Sequence, residues 1–347
     1  MKRWLAALLA SVLLGLAGIL LVNTPADIRA QLHQLHQLPA ASPPLILALA
    51  GAAAAYWIIP GLRLQVLAAV QGQRLPFSTG LLIHLTGMLS AAITPGGAGS
   101  APAIVAGLCR AGLSLGAALG IAVQVTLLDL LFFVWAVPLS VGYLLLSRAP
   151  GLAPDLAVPV GATIVVSLVA SILLSRRPRS IARLFLWLAR RRTFLRFRER
   201  LTATARGYYR CGRLFLGMGR LTWIYLQALS ALAWLGMFLL FWMLARMYQP
   251  LEMMTTLATL ALATLLSMIA PTPGGSGFIE VAVSTGIDSQ LSEAQLAAPL
   301  LLWRFGTFYL VYLVGPWAGL RLFVPRRHQR TGGPATVSMQ TLACHDD

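Results

Sequence analysis

Two stretches decide how this chain is built: Ile93-Thr-Pro-Gly-Gly-Ala-Gly99 and Pro271-Thr-Pro-Gly-Gly-Ser-Gly277. They lie 178 residues apart, and the register holds downstream, where Leu113-Ser114 meets Leu291-Ser292. Apolar sequence precedes and follows each copy, so the match reads as an internal duplication rather than two chance loops. Proline removes a donor and disrupts the helical turn before it, while paired glycines allow positive φ and close backbone approach. Each copy is therefore a break in an otherwise helical, apolar segment.

Working outward, the 347 residues are 58% hydrophobic and only 11% charged, with a mean hydropathy of +0.77. Soluble domains carry roughly 25% charged residues, so a soluble fold is excluded. Stretches that reach or approach the ~20 residues that cross a bilayer as a helix run from Trp4 to Val22, Pro44 to Pro60, Leu113 to Leu146, Leu156 to Leu174, Leu221 to Leu244 and Leu296 to Val324. The first is longer than a signal-peptide core and reads as a retained span. Two further stretches, Phe77 to Ile93 and Met253 to Ala270, run into the Pro-Gly-Gly breaks.

A net charge of +17 would suit a nucleic-acid binder, but its distribution does not: 14 of the 27 basic residues lie between Arg176 and Arg220. Such a block between spans is the mark of a cytoplasmic loop. Alternation of the spans then puts Lys2, Arg3, Arg63, Arg74, Arg321, Arg326, Arg327 and Arg330 on the same side, against Arg29, Arg148 and Arg246 on the other. Both termini are expected in the cytoplasm and no nucleic acid is expected as partner. Within the basic segment, about 175–220, Ile181, Leu184, Phe185 and Leu188 recur at helical spacing, which predicts an amphipathic helix on the membrane surface with anionic phospholipid as a partner.

Orientation gives the duplication its meaning. Repeat one, about 76–147, enters from the cytoplasm and leaves outside; repeat two, about 250–322, does the reverse. Ala101 to Ala111 would rise about 16 Å, half a membrane, so the piece after the glycines returns to the side it came from. The expected fold is an all-α polytopic membrane protein with an inverted-topology repeat and two re-entrant Pro-Gly-Gly hairpins. It occupies residues 1–325, and the polar tail 326–347 is expected to be disordered.

Half-helices that begin at mid-membrane present N–H groups with partial positive charge, a seat for phosphate or carboxylate. Charges within the apolar blocks cost roughly 2.5 to 3.5 kcal/mol each on insertion scales, so each is a functional candidate. Three are present: Asp129, Glu280 and Arg304. In the repeat register Arg304 aligns with Thr126 and Asp129 with Thr307. The substrate-contact candidates are Thr94, Pro95, Gly96, Gly97 and Gly99 in the first break, Thr272, Pro273, Gly274, Gly275 and Gly277 in the second, and the three charges. For the breaks the alternative is simple helix packing; for the charges it is an ion pair that staples helices. Arg110, at the end of the first half-helix, reads as an interfacial anchor. No Walker, HExxH or GxSxG sequence and no CxxC pair is present, which points to no catalytic residue, cofactor or metal.

Thr94-Pro-Gly-Gly-Ala-Gly99 and, more closely, Pro271-Thr-Pro-Gly-Gly-Ser-Gly-Phe-Ile-Glu-Val281 with Leu302-Trp-Arg304 resemble the lysylphosphatidylglycerol synthase transmembrane, or flippase-like, family. The first copy departs from that family's pattern, with Val125 and Thr126 where Glu-Arg often stands ahead of the aligned Asp. The resemblance covers roughly residues 1 to 325 and implies translocation of an anionic phospholipid or polyprenyl-linked lipid across a bacterial cytoplasmic membrane. Only about 22 residues follow Pro325, so aminoacylation is not expected. The rival readings are an ion-coupled carrier of a small anionic solute and a non-transporting scaffold subunit in envelope-lipid synthesis.

Overall fold

The computed structural model describes residues 42–147, 178–190, 197–270, 277–287 and 293–324, with Val169, Thr272 and Gly275. Every regular element among them is helical: α1 (Pro43–Val70), α2 (Phe77–Ala92), α3 (Ser100–Arg110), α4 (Leu115–Ser147), α5 (Pro178–Arg190), α6 (Arg198–Leu216), α7 (Arg220–Arg246), α8 (Met253–Ile269), α9 (Phe278–Ile287), α10 (Glu293–Arg304), a π-helical turn (Phe305–Tyr309) and α11 (Val311–Phe323). Among the described residues, four helices are long and apolar enough to cross a membrane: α1, α4, α7 and the continuous run Ala298–Phe323. They coincide with four of the six spans expected. Trp4–Val22, Leu156–Leu174 and the tail 326–347 lie outside the described residues.

One boundary differs in a way that matters. The first of these spans does not end at Pro60; α1 continues through it to Val70. The extension packs on α2 at a glycine crossing, where a Cβ on Gly80 would lie 2.7 Å from the Gly61 carbonyl oxygen. Arg63, expected among the cytoplasmic loop charges, is consequently inside the helix and only 5% exposed.

The long helix α4 joins two apolar clusters. Its first half, from Ala118 to Leu128, packs with Leu64 and Leu67 of α1, Ile83 of α2, Leu108 of α3 and Phe215 of α6. Its second half, from Phe132 to Leu144, packs with Phe238 and Phe241 of α7, Leu260 of α8 and Val283 of α9. Asp129 sits between the two. Leu47, Leu139, Leu146, Leu221, Ile224 and Leu313 face outward, more than half exposed, as lipid-facing side chains of a membrane bundle do.

The basic segment folds as a helical pair. Ala182 and Ala189 of α5 are buried, and α5 packs on α6, while α6 packs along the start of α4 at Gly116 and Gly120. Leu184 and Trp187 remain about half exposed. The expected amphipathic helix is present, but it rests on a second helix that anchors it to the bundle.

Candidate functional site

Each Pro-Gly-Gly copy interrupts a helix, and the two interruptions touch. α2 ends at Ala92 and α8 at Ile269; a Cβ on Gly96 would lie 3.3 Å from the Met268 carbonyl oxygen and 3.8 Å from that of Ala270. Gly96 and Gly97 have φ of 57° and 70°, and Gly275 and Gly277 have φ of 68° and 87°. L-residues pay about 1 to 2 kcal/mol in that region, so the glycines serve the backbone turn that the sequence predicts. Gly99 is the exception: its φ is −71°, and its need for glycine is steric, a Cβ falling 2.5 Å from the Ser90 carbonyl oxygen. Pro273 and Gly274 lie outside the described residues.

A cavity of about 220 Å³ opens where the breaks meet, lined by Gly96, Gly97, Gly275, Arg304, Thr264 and Phe308 among others. Tyr56 of α1 and Trp234 and Met237 of α7 complete its wall. Thr264 is 4% exposed, and its hydroxyl has no hydrogen-bond partner among the described residues. The cavity has room for roughly seven waters' worth of liquid volume.

Glu280 and Arg304 are brought together, Nε to Oε1 at 2.7 Å. The second Glu280 oxygen accepts from the backbone N–H of Gly277 at 2.7 Å, reaching back over the first turn of α9. The Arg304 guanidinium also lies 4.3 Å from the centre of the Phe308 ring. Arg304 is the last residue before the π-helical turn. That turn displaces the Gly306 carbonyl from the helical ladder, and Trp57 Nε1 donates to it at 2.8 Å. Single π turns recur at functional sites, and here the turn sets Arg304 into the cavity wall.

The half-helix N-termini are not open anion seats. Thr94 Oγ1 accepts from the Gly99 N–H at 2.8 Å while donating to Ser90 O at 2.7 Å, and Glu280 takes the equivalent place at α9. In the second copy an internal carboxylate therefore stands at the helix end where a ligand anion was expected.

Asp129 does not join this pair. Its carboxylate is held by both terminal nitrogens of Arg63, at 2.5 and 3.0 Å, and by Trp234 Nε1 at 3.1 Å. Arg63 in turn donates to Ser230 Oγ at 2.8 Å. Trp234 separates this group from the cavity, one face lining it while its N–H reaches Asp129. Thr307, the residue aligned with Asp129, is buried and does line the cavity. Among the candidates of the breaks, Gly96, Gly97 and Gly275 line the cavity; Thr94, Pro95 and Gly99 form the turn behind it, and Thr272 and Gly277 flank the second break.

Sequence reading missed Tyr56, Trp234, Trp303 and Phe308, aromatic residues indistinguishable from span-filling ones. Trp303 is 1% exposed and donates to Met237 O at 3.0 Å.

A bundle of long apolar helices with two broken segments meeting at a largely apolar cavity that bears Arg304 defines a multi-pass membrane protein. The chain belongs to the family described as the lysylphosphatidylglycerol synthase TM region, whose model matches residues 4–315. That region is a membrane domain of the flippase-like kind and the non-catalytic part of those proteins. No curated protein matches the chain.

Proposed function

We propose that the chain is a lipid flippase of a bacterial cytoplasmic membrane, carrying the headgroup of an anionic phospholipid or polyprenyl-linked lipid past the cavity between its two broken helices. The observation that carries this reading is the meeting of both breaks at one small, largely apolar cavity with Arg304, Thr264 and Thr307 in its wall. A headgroup phosphate would exchange with Glu280 for Arg304 and find the unpartnered Thr264 hydroxyl beside it, its chains remaining in lipid.

An inverted repeat with two re-entrant hairpins fits the helix lengths. α2 has 16 residues and α8 has 17, so placed end to end they extend about 50 Å, close to the ~40–45 Å of a bilayer with its headgroup regions. Arms descending from opposite faces would meet at mid-depth. The start of α2 and the end of α3 line one recess, at Ser78, Thr79, Arg110 and Ala111, as a segment that turns back would require. The Arg-rich helices α5 and α6 then face the cytoplasm, as do both termini.

Reconstitution into liposomes tests the proposal. Redistribution of fluorescent anionic lipid between leaflets is expected, and its loss with Arg304→Gln. Uptake of a small anionic solute without lipid movement would transfer the site to a solute carrier; neither activity would leave a scaffold.

A further inference from the structure

A second recess lies away from the central cavity, where α2 begins and α3 and α11 end. Its volume is about 630 Å³, nearly three times the central one. Two guanidinium groups, Arg110 at the last turn of α3 and Arg321 at the last turn of α11, stand in its rim, and among its lining residues there is no carboxylate. Two cations facing one concavity repel each other, and an anion between them removes that cost. The Arg321 guanidinium rests 5.3 Å from the centre of the half-exposed Trp317 ring, and both residues line the recess.

Three further features select the kind of anion. Ser78 and Thr79 bring hydroxyls to the rim from the first turn of α2. The turn carries no side-chain cap, so its first N–H groups have no intrahelical partner. The inner wall is apolar, made by Leu81, Leu82 and Leu85 on successive turns of α2. A free oxyanion has no use for such a wall, whereas a phosphodiester with attached chains uses both parts. Trp317 completes the pattern, since tryptophan favours the headgroup level of a bilayer.

We propose that this recess binds the headgroup phosphate of an anionic membrane phospholipid, with Arg110 and Arg321 on the phosphate and the leucine wall of α2 along the first methylenes of a chain. The site is separate from the central cavity and does not require translocation; a protein that moved no lipid would still hold one here.

The test uses the full chain in bilayer nanodiscs of phosphatidylglycerol and phosphatidylcholine in equal parts. A photo-crosslinking residue replaces Leu82, and a control crosslinker replaces Leu184 on α5. The adducts are weighed by mass spectrometry. Each arginine near an anionic headgroup favours it about fivefold, so the Leu82 adduct should be strongly enriched in phosphatidylglycerol. Arg110→Gln with Arg321→Gln should bring that ratio close to the bulk value while leaving the Leu184 ratio unchanged. Arg110→Lys with Arg321→Lys retains both charges and should keep most of the enrichment, which separates loss of the site from loss of the fold. An unchanged ratio in the Gln pair would overturn the proposal. Abolition of the enrichment by excess inorganic phosphate, with the Leu184 ratio unmoved, would instead assign the recess to the free ion and overturn the lipid.

Discussion

Among the described residues two ion pairs sit largely within the helical bundle, and they are built differently. Arg63 and Asp129 meet through two parallel hydrogen bonds, with Ser230 accepting from Arg63 and Trp234 donating to Asp129, in the layer between the two apolar clusters. Glu280 and Arg304 meet at 2.7 Å with Arg304 in the wall of the cavity; Glu280 also accepts from the Gly277 N–H, and the Arg304 guanidinium also lies against the Phe308 ring. The forked geometry is the stronger and the more specific one. The first pair therefore links α1, α4 and α7, and the proposed headgroup site would require the second to exchange partners.

The comparison breaks most visibly at Asp129. Asp129→Asn leaves the Arg63 guanidinium buried without its counter-ion, and removing one partner of a buried pair costs about 3 to 5 kcal/mol. The expected outcome is a large fall in the melting temperature in detergent, with Arg63→Gln close behind. Replacing both, as Arg63→Met with Asp129→Leu, should recover most of the loss, because neither charge is then stranded. Transport by that double variant should persist; its disappearance with stability intact would put Arg63 and Asp129 in the transport cycle and erase the distinction.

At the second pair, stability and activity should separate. Glu280→Gln and Arg304→Gln each lower the melting temperature by less than Asp129→Asn does, because the cavity admits water to the partner left behind. Each should lower lipid redistribution at least tenfold, roughly the 1.5 to 3 kcal/mol associated with a hydrogen bond to a charged group. The double variant is expected to regain stability and not transport. Full recovery of both would make the pair a staple, and strictly additive losses would show that the two side chains do not couple.

The two breaks differ in the same graded way. A methyl group on Gly275 would fall 2.6 Å from Ser267 Cβ and 2.8 Å from its carbonyl oxygen, whereas on Gly97 the nearest atom is Ala91 Cβ at 3.7 Å. Both carry positive φ. Gly97→Ala then costs only the backbone term, about 1 to 2 kcal/mol, and Gly275→Ala costs that and a clash. Parallel thermal melts should rank Gly275→Ala well below Gly97→Ala; equal shifts would mean that the second break relaxes around the methyl.

How much of this could be read from sequence follows from the kind of signal each part leaves. The breaks were legible because Pro-Gly-Gly repeats at constant offset, and glycine at positive φ has few substitutes. The Glu280–Arg304 pair was legible because a charge in an apolar run stands out by cost. Arg63 escaped for a physical reason: Pro60 was taken as the end of its helix, yet a proline late in a membrane helix is tolerated when neighbouring helices satisfy the freed groups. Once α1 is carried to Val70, Arg63 lies about 10 Å inside its end, and Asp129 gains a partner other than Arg304. The π-helical turn at Phe305–Tyr309 left no trace in composition, since it depends on Trp57 reaching Gly306 from 249 positions away.

The smallest effect expected lies outside both pairs, at a carboxylate that shows what exposure does to such contacts. Glu252 caps the approach to α8, where the hydroxyls of Thr255, at 2.6 Å, and Tyr143 donate to it. Those two bonds, Thr255 first, hold its carboxyl below its ordinary value of 4.5. A depressed acid contributes stability that is fully present above its unfolded value and is lost as pH falls through the folded one. Melting temperature should therefore be flat in pH above about 5 and decline below 4.5, and Glu252→Gln should remove a small part of that decline. The group is exposed, so water competes for both hydroxyls and the contribution stays within the range of surface contacts, about 0 to 1 kcal/mol. Subtracting the two pH profiles isolates it. A difference as large as that produced by Asp129→Asn would mean that the Tyr143–Glu252 contact ties α4 to α8 as firmly as the buried pair ties α1 to α4, and that burial is not what separates the two kinds of contact.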